Sequence, residues 1–410
     1  MFLQLDSDRY PLKTFGDLAY RVYGSVARHT VSLFQSVQLF LNVGIIIVTN
    51  GQSLSQIAAK GPDKTENGAC FIILCFVWAI AGAFLGQIRT LQRLGWIANA
   101  AIWMNVFVII SSMAVIAHSS PNFVAAKANN MVEPGPVFKT AGPPPDVAFD
   151  GQVVGLMQAV FSYGGAMLFI EFMAEMKRPF DFWKGMLCAQ TFIFVCYMFY
   201  GLFCYSYQGQ FTINPAFQGI SGYAWQTVSN VFYIVSSLIA GVLYGNIGVK
   251  VVYNNILMEL LKFPSLSTRA GKLVWVVVVP VYWAVAFIVA AAIPQVSNLS
   301  GLIAAACILQ FSYTFPPMIM LGFQVKKDAL QAGEGFDPAT GRSTHHDSGF
   351  ARYRRGYMKK FLFNTFNLVF FLGSCVTAIL GIYSAAKGMK DAYAAGAPPS
   401  FSCRSPVLTG

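Results

Sequence analysis

Four residues able to do chemistry stand where lipid would be expected on every side: Ser162, Tyr163, Gly164 and Gly165, at the centre of an apolar run from Val153 to Met173. As a helix this run rises roughly 31 Å, the thickness of a bilayer's hydrocarbon core. Each glycine costs about 1 kcal/mol in a helix and frees the backbone to leave helical geometry. Loose N–H and C=O groups are tolerated at membrane depth only against protein or a polar cavity, so a break at 162–165 implies a binding cavity. The same glycines could instead let two helices pack closely. Six residues after Gly165 comes Glu171, the only carboxylate well inside a span, with Glu175 one turn further on the same face. A desolvated carboxylate can carry a proton, which gives Glu171 a gating or proton-linked role. Its alternative role is a structural pair with Lys177, Lys184 or Arg89.

Composition sets the frame for these residues. The 410-residue chain is 56% hydrophobic and 11% charged, with a mean hydropathy of +0.55, which excludes a set of soluble domains. Nine apolar runs could span a membrane: 29–49, 70–87, 96–117, 153–174, 184–206, 226–247, 272–293, 298–322 and 361–386. A net charge of +11 is compatible with a nucleic-acid binder, but the basic residues fall between these runs. Of the 28, 21 lie on one side and 7 on the other, which puts the N-terminus in the cytoplasm and the C-terminus outside. Most of the eight cysteines lie inside the runs without a CxxC pair, and no histidine has ligand spacing, so no metal site is expected. The start FLQLDSDRY lacks the pattern of a cleavable signal peptide. No GxxxxGK[ST], HExxH or Ser/His/Asp pattern occurs, which argues against an ATP-driven pump or an enzyme.

The other spans supply polar stripes. Gln35, Gln38, Asn42 and Thr49 fall within about 60° on the first, and Gln226, Asn230, Tyr233, Ser237 and Tyr244 do so on the sixth. With the break they point to a shared wet cavity; as packing glue each would contribute about 0.6 kcal/mol. The substrate site is therefore placed at Phe161, Ser162, Tyr163, Gly164 and Gly165, with Gln38 and Asn42 from the first span and Asn230, Tyr233 and Ser237 from the sixth. A second half-helix starting near Ala166 would direct its positive end at the substrate. Between the third and fourth runs, EPGP and GPPPD make an extended cap of 119–150. The inner loop ends in RYRRGYMKK, 352–360, where five basic residues would sit on anionic inner-leaflet lipid.

Five stretches, LDSDRYPLKTFGDLAYRVYG, FSYGGAMLFIEFMAEMKRPFDFWKGM, YSYQGQFTINPAFQG, VLYGNIGVKVVY and ILQFSYTFPPMIMLGF, occur in that order along the chain. Through them the chain resembles the amino acid/auxin permease family, in particular fungal permeases for neutral amino acids. The resemblance implies an all-α polytopic membrane protein: nine transmembrane helices of an eleven-helix, 5+5 inverted-repeat, LeuT-like fold built around broken helices. LDSDRYPLKTFGDLAYRVYG resembles the segment after the family's second helix, so the first two have no counterpart. The expected layout is 28–118 as the remainder of the first repeat, the 119–150 loop, 151–322 as the second repeat, the 323–360 basic loop, 361–387 as the last helix and a 388–410 tail outside.

The implied function is secondary active transport of neutral amino acids by alternating access, with H+ as coupling ion, Na+ remaining open, and no other cofactor. The plasma membrane is expected rather than the vacuolar one. The alternatives are a sensor or scaffold that binds an amino acid without moving it, or a shortened gene model without activity. With half of the family's paired broken helices absent, the 410 residues alone are expected not to transport.

Overall fold

The computed structural model describes residues 1–7, 9–61, 64, 66–89, 95–130, 132–144, 147–258, 261–337 and 341–408. A four-residue helix, α1 (Phe2–Leu5), precedes α2 (Phe15–Tyr23), which starts at Thr14 because the Thr14 hydroxyl and the Asp17 carboxylate cap each other's backbone N–H groups. The 33-residue α3 (Ser25–Ile57) follows and packs against α2, α4 (Phe71–Leu85), α10 (Tyr223–Val252) and α11 (Arg269–Ala292). It outruns the expected span 29–49 at its C-terminal end. There Gln52, Ser53 and Gln56 are buried and hydrogen-bonded, so neighbouring helices satisfy the polar groups that had suggested a boundary.

Among the described residues, seven helices are long and apolar enough to cross a membrane, or eight if a pair bent by 40° counts as one span. That pair is α7 (Phe149–Ser162) and the segment Gly164–Glu175, which runs as a 3-10 helix to Leu168 and then as α8 (Phe169–Glu175). The sequence-based count of nine is corrected at 70–87: α4 has 15 residues and rises about 22 Å, less than a full hydrocarbon core. The remaining spans are α5 (Gly95–His118), α9 (Phe182–Gln208), α10, α11, the line formed by α12 (Val296–Ile303) and α13 (Phe315–Asp328), and α15 (Phe361–Ala394). Residues 304–308 and 310–314 between α12 and α13 are π-helical. Pro316 and Pro317 follow this stretch and lack the N–H groups that would bond back to Ser312 and Tyr313, so the regular ladder is interrupted there.

The fold is not purely helical. Gly335–Asp337 (β1) and Arg342–Thr344 (β2) pair antiparallel in the loop before α14 (Phe350–Lys359). The cap between α5 and α7 is not extended throughout either. It contains α6 (Phe123–Asn130), whose Ala125 and Ala126 pack with Phe211 and Ile213; Pro145 and Asp146 of its GPPPD run lie outside the described residues. At the chain's end the tail folds back through a Cys70–Cys403 disulfide and a Ser55–Ser405 hydroxyl contact of 2.6 Å, with Val407 and Leu408 packed on Ala59.

Candidate functional site

The α-helix stops at Ser162, and Tyr163 takes φ −107° and ψ 32°, outside α geometry. Its N–H bonds to Val160 O at 3.2 Å, three residues back instead of four. The second half becomes α-helical only at Phe169, three residues beyond the Ala166 expected from sequence, because 164–168 continues in the tighter 3-10 form. The two glycines differ in their surroundings. A Cβ on Gly164 would lie 3.0 Å from Ile308 Cδ1, whereas one on Gly165 would meet nothing within 4 Å. Close helix packing therefore accounts for Gly164 alone, and Gly165 exposes bare backbone to open space.

Such a break needs hydrogen-bond partners for its carbonyls, and α3 provides them. Gln38 Nε2 donates to Gly164 O at 3.1 Å, and Gln35 Nε2 donates to Met167 O at 3.2 Å and to Glu171 Oε1 at 2.7 Å. These glutamines, three residues apart on one face of α3, both hold the second half, from its first residue Gly164 to Glu171. The other Glu171 oxygen has no hydrogen-bond partner among the described residues. Phe15 and Asp17 at the start of α2 are close to this carboxylate.

Beside Gly165 is a cavity of about 730 Å³ bounded by α3, α7, α10 and α12 and by the 212–216 connection. Of the residues proposed from sequence, Phe161, Ser162, Gly164, Gly165, Asn42 and Tyr233 line it. Four others lie elsewhere. Gln38 is spent on the break; the Tyr163 ring packs against Tyr197 at 5.7 Å; Asn230 Nδ2 donates to Gln56 Oε1 at 2.9 Å; Ser237 Oγ donates to Asn50 Oδ1 at 2.5 Å. The α10 stripe is thus divided, with Asn230 and Ser237 bonded to α3 while Tyr233 and Tyr244 reach the cavity.

Gln158 lines the cavity without having been singled out. Its Nε2 donates to Ser297 O at 2.8 Å, and its Oε1 accepts from Ser300 Oγ at 2.8 Å and Asn214 Nδ2 at 3.1 Å, so one amide ties α7 to α12 and to the 212–216 connection. The available signal was a lone glutamine one turn before Ser162 in an apolar run. No charged side chain lines the cavity among the described residues. The Tyr233 hydroxyl is committed to Thr49 Oγ1 at 2.9 Å, but the Asn42 amide and the Tyr244 hydroxyl make no hydrogen bond among the described residues and are free to meet a ligand. Tyr244, at the cavity's edge, packs against a layer that includes Phe15, Leu39, Met167, Leu168, Phe311 and Phe315, so the cavity meets a packed floor on its α2 side through that ring. The lining offers amides, hydroxyls and backbone dipoles, which suits it to bind a small polar molecule without reacting with it.

A family model described as "Transmembrane amino acid transporter protein" matches residues 3–333. The chain is 27% identical over 315 residues to a "Transmembrane transporter" of Gibberella moniliformis, covering 75% of this chain and 62% of that one. It is 26% identical over 393 residues to a "Transmembrane transporter" of Fusarium pseudograminearum, covering 93% and 72%. With an "N amino acid transport system protein" of Neurospora crassa it shares 22% over 329 residues, covering 78% and 65%. The chain thus spans only 62% to 72% of the length of these relatives.

Proposed function

We propose that this chain, which belongs to the transmembrane amino acid transporter family, carries neutral amino acids across a membrane by alternating access around the break at 162–165, a reading that departs from the expectation, drawn from the resemblance, that the 410 residues alone do not transport. The observation behind this reading is the charge-free cavity of about 730 Å³ beside bare backbone at Gly165. A zwitterion with an uncharged side chain brings two opposite charges that backbone N–H and C=O dipoles can meet. A third charge on the substrate would find no counter-ion there and would carry a desolvation cost. Asn42 and Tyr244 are placed to supply further hydrogen bonds, and Phe161 to contact the substrate's side chain.

The packed floor towards α2 and the contact of the cavity with the 212–216 connection fit a form entered from the side of that connection. The excess of basic residues at the opposite side supports an entrance on the extracytoplasmic face, with the plasma membrane as the membrane of this reading. Segments 28–118 and 151–322 act as the two opposed repeats in this reading. Glu171 suits proton coupling, since protonation would change its hold on Gln35 and so the link between α3 and the broken helix. Glu171→Gln is accordingly expected to flatten the pH dependence of uptake at unchanged membrane abundance; an unaltered pH profile would return Glu171 to a structural role.

The test is a competition assay in proteoliposomes, with uptake of a labelled neutral amino acid against unlabelled neutral, acidic and basic ones. Neutral amino acids should compete and charged ones should not. Equal competition by lysine or glutamate would contradict the reading, and binding without uptake would favour a sensor.

A further inference from the structure

A second cavity, of about 830 Å³, lies on the α2 side of the molecule between the N-terminal segment, the end of α13 and the loop before α14. Its chemistry is the opposite of the first: Arg21, Lys326, Lys327 and Arg352 line it, with Asp347 as the only carboxylate among the described residues. That carboxylate is already engaged. Arg355 reaches it at 2.5 Å and Arg352 at 3.2 Å, while Arg352 also pairs with Glu334 at 2.8 Å. Arg21, Lys326 and Lys327 are left with neutral partners only: Tyr10 O at 2.9 Å, Val22 O, and Gln4 Oε1 at 3.0 Å. Each also stands over an aromatic ring, Tyr10, Tyr23 and Phe323 respectively. None of the three meets a carboxylate within ion-pair distance among the described residues.

Three such cations held at one concave site repel one another, and an anion entering between them would relieve that repulsion. An arginine fork and two ammonium groups are the donors that suit phosphate oxygens. The volume falls within the range of small-molecule pockets. The cavity wall includes Arg352 and Tyr353 of α14, which ends at Lys359, one residue before the membrane helix α15 begins at Phe361. This places the site on the helix that leads directly into a membrane span. We propose that this cavity binds a phosphate-bearing anion, with Arg21, Lys326 and Lys327 as its ligands, so that the anion ties α2 to the end of α13.

The phosphate could belong to an inositol lipid headgroup or to a soluble metabolite, and the test separates the two. Binding of labelled inositol trisphosphate and of inorganic phosphate to the purified full chain in detergent is compared with binding of a short-chain phosphatidylinositol bisphosphate in nanodiscs. Charge-matched phosphatidylserine serves as the control. Lys326→Gln with Lys327→Gln should weaken binding by about tenfold or more, at roughly fivefold per cation, and the corresponding double Arg variant should retain it. Ser348→Glu, an exposed substitution in the cavity wall, should weaken it about fivefold without depending on how the lysine variants fold. Binding of the lipid alone identifies a headgroup site, and equal binding of the soluble probes identifies a metabolite site; both support the proposal. It is overturned if no phosphate probe binds above the phosphatidylserine control, or if binding survives both the double Gln variant and Ser348→Glu.

Discussion

Two adjacent glycines at the break carry different loads. Gly164→Ala needs the buried Ile308 Cδ1, 3.0 Å from the new Cβ, to give way by a few tenths of an ångström, so both membrane abundance and uptake should fall. Gly165→Ala meets no atom within 4 Å; abundance should hold while uptake falls, because the added methyl covers backbone that faces the cavity. Quantifying surface protein and uptake in parallel checks this, and equal loss of abundance in both variants would contradict the distinction. Away from the membrane, the hydrogen bonds from Arg352 and from the Gln331 and His346 backbones lower the pKa of Glu334 from 4.5 to about 2. A depressed carboxylate stabilises the fold above its unfolded value and loses that contribution as pH falls through the folded one. Cleavage of the 330–350 loop in limited proteolysis should therefore stay slow at pH 5 and above, and accelerate as pH drops from about 4.5 towards 2. Glu334→Gln should abolish that acceleration at the low end; an unchanged profile would show that the Arg352 pair does not hold the loop.

At the scale of elements, α3 is the scaffold of the break, because its glutamines replace the hydrogen bonds that a continuous helix would have made. Gln38→Leu leaves the Gly164 carbonyl without its donor, at a cost of about 1–3 kcal/mol. The melting temperature in detergent and the uptake rate should drop together, whereas an unchanged melting temperature would mean that another donor takes over. The break was legible in sequence because two glycines at the centre of an apolar run conflict with a helix by their own chemistry. The identity of its partners was not. Helical periodicity assigned Asn230, Tyr233 and Ser237 correctly to one face of α10, but a face 60° wide meets both a cavity and a neighbouring helix. Only packing decides that Asn50 and Gln56 take Ser237 and Asn230. The polar C-terminal end of α3 likewise read as a boundary, since nothing local tells a solvated glutamine from one buried against Gln218.

For the whole molecule, apolar runs and the asymmetry of basic residues made the polytopic class readable, since each is a sum over many residues. Long-range pairings such as Cys70 with Cys403, 333 residues apart, have no local signature. Beside the break, α9 buries only Cys204 and Gln208 of its 27 residues and lends none to the cavity, which is lined by α3, α7, α10 and α12 together with the 164–165 backbone and the 212–216 connection. The cavity's two ends differ accordingly, with a packed aromatic and aliphatic floor towards α2 and polar connections at 130 and 212–216. The central claim, that a neutral amino acid sits against the backbone at 164–165, is tested most directly by an experimental structure of the chain at saturating concentration of a transported neutral amino acid. Ligand density within hydrogen-bond distance of that backbone and of Asn42 or Tyr244 is the predicted result. An empty cavity at saturation, or density confined to another site, would contradict it.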